Sequence, residues 1–288
     1  KPKTKVTSKH TRRNKNADKG RVTLLKLLSY QSSRSVHHRQ QSEHRLINSE
    51  AFITRIKNAQ ISEDHELVSF DVKSLFTSIP LDLAIVNVKE ALANYSDDLP
   101  IPKDEVIDLL TLCLESTFFH CDGNFYQQLH GTAMGSPVSV VVAEIVMQRL
   151  EEKELATYPN PLPFWYRYVD DTITSLKKDE KVDFLNHLNQ QNPSIQFTIE
   201  PEKNGQLAFL DCLVTRSGNT IRTSVYRKPT STDRLLDDSS YHPASHKSAT
   251  IKTLVKRAHV ISSSNEDLEA ELKHLNEVFD VNNYSKPF

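Results

Sequence analysis

The chain has 288 residues, with 36 Lys+Arg against 37 Asp+Glu, 38% hydrophobic residues, 13 Pro, 6 Gly and 3 Cys. That length supports a buried core in one large or two small domains, and a charged share of 25% excludes wholesale disorder and collagen-like or mucin-like repeats. Cys113, Cys121 and Cys212 are too few and too scattered for a disulfide scaffold or a four-thiolate zinc site, which points to a reducing compartment. The longest apolar run, Val138 to Met147, is about half the length of a membrane span and contains Glu144. With no apolar stretch behind Lys1-Pro-Lys-Thr-Lys, the expectation is a nuclear or cytoplasmic protein, not secreted and not bound to a membrane.

The net charge of −1 hides an asymmetry. Residues 1 to 50 hold 13 Lys+Arg and 3 Asp+Glu, or +10, while the rest of the chain stands at −11. Lys9, Arg12, Arg13, Lys15 and Lys19 suit phosphate neutralisation or a localisation signal, and equally a solvated, disordered terminus. A second basic patch spans residues 222 to 257.

In chain order, Leu67 to Phe70 reads as a buried strand delivering Asp71 at its end. Pro80 opens a helix with Ile85, Val88, Leu92 and Tyr95 on one face, broken by Asp97-Asp98-Leu99-Pro100. A further helix carries Val106, Leu109, Leu110 and Cys113. Asp122-Gly123 between aromatic runs is a two-residue hairpin signal. The loop Gly131 to Ser139 leads into a long helix through Val140, Ile145, Val146 and Leu150. Phe164 to Leu176 reads as a hairpin with Asp170 and Asp171 at its tip. A helix near 179 to 191 precedes strands over Ile195 to Glu200, Leu207 to Thr215 and Thr220 to Tyr226. From Ala249 the pattern is helical, with Ile251, Leu254, Val255, Ala258 and Ile261 inward and Lys252, Lys256 and Arg257 largely outward. Ser264-Asn-Glu-Asp267 then starts a last helix striped by Leu268, Leu272, Leu275 and Phe279.

Carboxylates at strand ends can bridge two Mg²⁺ ions about 4 Å apart, the arrangement that stabilises both oxygens of a phosphoryl transfer. Hard oxygen ligands favour Mg²⁺ or Mn²⁺ over zinc. Taken alone, Tyr168-Val-Asp-Asp171 reads as an ordinary exposed turn. It stands, however, in a fixed order with Phe70-Asp71-Val-Lys-Ser-Leu-Phe76, Gly131-Thr-Ala-Met-Gly-Ser-Pro-Val-Ser139 and Leu207-Ala-Phe-Leu-Asp-Cys-Leu213. These segments resemble the successive palm motifs of reverse transcriptases, and among them the Penelope-like retroelement enzymes, a family related to telomerase. Tyr226-Arg-Lys-Pro-Thr230, Tyr241-His-Pro243 and Ser245-His-Lys247 extend the likeness from about Leu46 to the C-terminus.

The resemblance implies an α+β fold: a reverse-transcriptase palm, with an antiparallel sheet and packed helices, followed by a helical thumb with a helix-turn-helix-like module. The expected boundaries are a basic, partly disordered arm with a fingers remnant over 1 to 45, the palm over 46 to 215, and the primer-grip continuation and thumb over 216 to 288. It implies an RNA-directed DNA polymerase using two Mg²⁺ or Mn²⁺ ions, an RNA template, a DNA primer and dNTPs. Asp71 and Asp170 match the metal-binding aspartates, Asp171 their less direct companion, and Val72 a residue lending its carbonyl to a metal. Phe76 matches the aromatic that excludes a 2′-hydroxyl; read alone, it is plain core packing. Gly135 and Ser136 match the nucleotide-contacting loop, with Met134 where many relatives carry Gln. Lys203 is a candidate for the lysine assisting the departing pyrophosphate, against an exposed turn lysine.

Phe209 and Leu210 match the primer grip, against an ordinary buried strand. Arg227, Lys228, Lys252, Lys256 and Arg257 are expected to hold duplex phosphates without reading sequence. His242 and His246, with no cysteines nearby, read as solvent-exposed or phosphate-contacting rather than as zinc ligands. Residues 1 to 45 contain no Arg-Pro-Ile-like fingers motif, and the expectation is a palm and thumb without the C-terminal nuclease domain of many Penelope-like elements. The alternative readings are a truncated, inactive nucleic-acid-binding remnant and a palm-fold nucleotide cyclase, the second leaving the Gly131 loop and the thumb without a role.

Overall fold

The computed structural model describes residues 44–95, 99 and 101–284. Residues 1 to 43 of the arm expected over 1 to 45, and most of the Asp97 to Pro100 break, lie outside the described residues. In chain order the elements begin with α1 (Ser49–Ile56), β1 (His65–Val72), α2 (Leu75–Ser78), α3 (Leu81–Ala93), α4 (Lys103–Glu115), β2 (Phe118–Cys121) and β3 (Asn124–Gln127). There follow α5 (Pro137–Thr157), β4 (Trp165–Tyr168), β5 (Asp171–Lys177), α6 (Lys181–Gln191), β6 (Phe197–Pro201), β7 (Gln206–Phe209), β8 (Cys212–Ser217) and β9 (Thr220–Val225). The last two are α7 (Ala244–Ile261) and α8 (Asn265–Val281).

The described chain forms two units. The first takes in residues 71–161 and 182–198. There α5 packs on α3 and α2, and α3 on α4. Pro137 starts α5 at the position where a missing N–H costs nothing. The buried stripe of α5 is Val138, Val142, Val146 and Leu150, four residues apart, while Val140 is exposed and Ile145 half-buried. The long helix expected through Val140, Ile145, Val146 and Leu150 is present, but its run of valines gives little contrast from which to read the helical phase. The β2–β3 hairpin turns at Asp122 and Gly123, both at positive φ, the pattern that favours Asp-Gly.

Among the described residues the second unit comprises 44–70, 162–181 and 199–284. Its strands belong to a four-stranded sheet of order β4-β5-β1-β6 and to a three-stranded antiparallel meander β7-β8-β9. Phe52 and Ile56 on α1 pack with Leu67, Phe209, Val214 and Ile261 in one apolar cluster. The Phe52 and Phe209 rings lie 4.8 Å apart at 59°. Helix α7 packs on α8, β9 and α1.

Several boundaries differ from the sequence expectation. The strand expected over Leu207 to Thr215 is two strands, β7 and β8, joined by a turn at Leu210-Asp211 with Leu210 at φ 55°. Asp211 is the one turn-favouring residue in Phe209-Leu-Asp-Cys212, and the left-handed position falls on Leu210 instead, so the sequence signals that turn only weakly. Helix α1 was not expected; its start is fixed by Asn48, whose side chain accepts from the Ala51 N–H at 2.8 Å. Helix α7 begins at Ala244 rather than Ala249, directly after Pro243.

Candidate active site and nucleic-acid interface

Strand β1 alternates so that Val72 is buried and Asp71 is exposed beside it. The Thr198 hydroxyl donates to the Asp71 carbonyl at 3.2 Å, and the Lys73 N–H to the Gln196 carbonyl at 2.8 Å, so the strand end is tied down on both sides of Val72. Ser74 then takes a left-handed conformation, φ 52°, and turns the chain into α2, which carries Phe76. The Phe76 carbonyl receives both the Thr132 N–H, at 2.6 Å, and the Thr132 hydroxyl, at 3.1 Å. Beside it Gly131 stands at φ 73°, where an added Cβ would lie 2.5 Å from the Thr77 Cα. Only glycine permits this approach, so the Gly131 to Ser136 loop is docked on the helix that bears Phe76. Gly135 is also at positive φ, 83°, but a Cβ there would meet nothing within 4 Å; its requirement is conformational. Ser136 is the N-cap of α5.

The carboxylate pair Asp170-Asp171 lies in the β4–β5 hairpin. Tyr168 pairs with Asp171, leaving Val169 and Asp170 as a two-residue turn. Val169 has φ 59°, a position where this turn type favours glycine and where a β-branched side chain is strained by about 1–3 kcal/mol. The turn is braced from within. Arg167, 0% exposed, donates from its guanidinium to the Val169 carbonyl at 3.0 Å. The backbone of Arg167 is itself fixed by the segment that enters from His44: Leu46 N–H to the Arg167 carbonyl and Arg167 N–H to the His44 carbonyl, both 2.7 Å. A His44 ring nitrogen also meets the Trp165 carbonyl at 3.0 Å. Sequence reasoning passed over Arg167, which shares the buried face of β4 with Trp165 while Tyr166 is half-buried and Tyr168 exposed. Asp170 and Asp171 are half-buried.

Among the described residues, no group of three or more His, Cys, Asp or Glu is arranged to hold a metal ion. Aspartate carboxylates such as those of Asp71 and Asp170 are the kind of oxygen donor that Mg²⁺ takes, one or two at a time, its octahedron being filled by water and substrate phosphate. A zinc site would need nitrogen or sulfur donors.

At the β7–β8 turn, Phe209 is 3% exposed and belongs to the core against Phe52, so the accessible side chain there is the half-buried Leu210. Asp211 accepts from the Ser49 hydroxyl. Burial, then the neighbouring Asp211 charge, pushes the Cys212 thiol up to about 12. Lys203 is exposed, in the turn that Asn204 and Gly205 make at positive φ, 3.7 Å from Glu200.

Of the basic residues, Lys228, Lys252 and Lys256 are exposed and Arg257 is half-buried. Lys256 lies 3.4 Å from Glu50. Arg227 is committed elsewhere: both its terminal nitrogens engage Glu271 of α8, at 2.7 and 2.5 Å, and its Nε lies 3.7 Å from Asp233. Arg222 similarly fastens β9 to the start of α8, with Nε 2.6 Å from Asp267, and holds the Asp267 carboxyl below its ordinary value. Ser264 caps α8 as expected, its hydroxyl accepting from the Asp267 N–H at 3.1 Å. Buried Asn282 closes the module: its side chain donates to the Asp233 carbonyl and accepts from the Leu235 N–H.

Residues 5–230 match the family model described as reverse transcriptase (RNA-dependent DNA polymerase), and residues 234–288 that of an animal helix-turn-helix domain. The chain belongs to the reverse transcriptase family. The match begins at residue 5 and so includes most of the basic arm. The reverse transcriptase domain is accordingly a mixed α+β, palm-like fold with antiparallel sheets, followed by the helix-turn-helix pair α7–α8. No curated protein matches the chain. Among solved structures it is similar to telomerase from Candida albicans in complex with a fragment of telomeric RNA, at TM-score 0.60 and 12% identity over 94% of this chain and 46% of that one. It is also similar to apo telomerase from Candida tropicalis truncated from its C-terminal domain, at 0.52 and 13% over 72% and 45%. A third likeness is to the Sicinivirus 3Dpol RNA-dependent RNA polymerase, at 0.53 and 13% over 83% and 51%. The reverse transcriptase chain thus spans about half the length of these structures, and the likeness is one of fold.

Proposed function

We propose that the chain is an RNA-directed DNA polymerase domain of a Penelope-like retroelement, which extends a DNA primer along an RNA template with dNTPs. What supports this above all is the ordered conjunction of an aspartate at a strand end, a glycine loop docked on the Phe76 helix, and a strained turn presenting Asp170. Asp71, Asp170 and the Val72 carbonyl are the residues that would hold two Mg²⁺ or Mn²⁺ ions, with Asp171 beside them. Such ions, when bound, neutralise charge building on the phosphates of the transfer.

The chain's own residues do the positioning that carries most of a phosphoryl transfer. Phe76 lies under the incoming sugar and leaves no room for a 2′-hydroxyl. Gly135 and Ser136 admit the nucleotide to the loop backbone, and Lys203 serves the departing pyrophosphate. The Phe209-Leu210 turn orients the primer, with Phe209 as its buried footing. Lys228, Lys252, Lys256 and Arg257 track duplex phosphates, and Arg227 contributes by fixing the strand-to-helix connection that presents them. The test is incubation of the purified chain with an RNA template, an annealed DNA primer, dNTPs and Mg²⁺. Extension with dNTPs and not with ribonucleotides is expected; salt-sensitive binding without extension would assign the chain to a nucleic-acid-binding remnant instead.

A further inference from the structure

Val169 is the residue of the β4–β5 turn least suited to its conformation. A β-branched side chain at φ 59° persists only where its surroundings over-determine it. The surroundings here are specific. Arg167, two residues away and 0% exposed, aims its guanidinium at the Val169 carbonyl, 3.0 Å distant. A buried guanidinium is costly to desolvate, and a residue with only a packing role would be apolar. Its own backbone cannot drift, because both its outer hydrogen-bonding groups are taken by His44 and Leu46 at 2.7 Å.

We propose that Arg167 is a positioning residue: its hydrogen bond to the Val169 carbonyl locks the left-handed turn and thereby aims Asp170, without touching substrate. This rests on the reading of Asp170 as a metal-binding carboxylate. Arginine suits the task, because its planar, delocalised group keeps donors at fixed angles, whereas a lysine ammonium is a shorter-ranged point donor. Valine rather than glycine at position 169 then gives a turn that is rigid once braced, since the unbraced alternatives open to glycine are closed to it.

The test uses the full chain in primer extension at saturating dNTP, with Mg²⁺ titrated, alongside thermal denaturation. Arg167→Met is expected to lower the extension rate about tenfold or more and to raise the half-saturating Mg²⁺ concentration. Adding Val169→Gly, which reaches φ 59° without strain, is expected to recover most of that loss, and Arg167→Lys to fall between the parent and Arg167→Met. A role confined to packing predicts the reverse for the glycine, a further loss.

Parental activity in Arg167→Met, or a folded Arg167→Met/Val169→Gly protein no better than Arg167→Met alone, overturns the proposal. Should Arg167→Met fail to fold, the same comparison in the Arg167→Lys background decides it. Asp170→Asn is measured in parallel. If that variant extends like the parent, the assignment of Asp170 fails. The bracing claim is then judged on Tm: Val169→Gly must be less costly with Met at 167 than with Arg, and an equal cost overturns it.

Discussion

At Gly131 a single added methyl group would collide with backbone: the Cβ would stand 2.5 Å from the Thr77 Cα, at a φ of 73° that L-residues rarely adopt. Gly131→Ala should therefore destabilise the chain by about 2–4 kcal/mol, the sum of left-handed strain and overpacking, and undock the loop from Phe76. Thermal denaturation and the KM for dNTP check this together, with a lower Tm and a higher KM expected. The three thiols provide an independent reading of local burial. Cys121 is exposed and Cys212 is buried, its thiol pushed up to about 12 by desolvation. Iodoacetamide at pH 8 should label Cys121 in the folded chain and Cys212 only after denaturation. The motif residues at this scale were legible because glycine, aspartate and aromatic spacing is chemistry written directly in the sequence. Arg167 was not, because a charged residue in a buried strand position looks like an exposed one until its partners are known.

At the scale of elements, the end of the chain is held by ion pairs rather than by apolar burial alone. Arg227 and Glu271 join the segment after β9 to α8, with Glu271's side chain only 7% exposed. Arg227→Ala leaves that carboxylate without its bidentate partner and should cost about 2–3 kcal/mol in urea or thermal unfolding. A residue whose sole role was to contact nucleic acid would weaken binding and leave Tm unchanged. The Arg222 bridge to Asp267 adds a pH dependence of known sign. Asp267 is held below its ordinary value of 3.8, chiefly by the Arg222 hydrogen bond. Its contribution is complete above that value and is lost as the pH falls through the lower folded value. The hydrogen-exchange protection factor at the first turn of α8, the free-peptide exchange rate divided by the observed rate at the same pH, should fall below about pH 4 and be constant between about pH 5 and 8. The helices here were legible from period and cap, Ser264 above all. The β7–β8 turn was not, because its left-handed residue is a leucine, imposed by the meander's pairing and not by local preference.

For the whole molecule, the charge divides as +10 over residues 1 to 50 and −11 over the rest, which puts the basic excess at the front of the chain. Under the proposed function, phosphate contact within the described residues falls to exposed lysines, Lys252 and Lys256 of α7 among them. Helix α8, by contrast, carries Glu266, Asp267, Glu269, Glu271, Glu277 and Asp280, and is no candidate for a groove-reading helix. Lys252→Ala/Lys256→Ala should weaken duplex binding for all sequences alike and reduce the logarithmic salt slope by about two. The central claim of the proposed function is that the Asp170 carboxylate serves nucleotidyl transfer. Its most direct test is primer extension on an RNA template, with dNTPs and Mg²⁺, comparing the parent with folded Asp170→Ala. Extension by the parent and none by the variant is the predicted result; equal extension by both would contradict it.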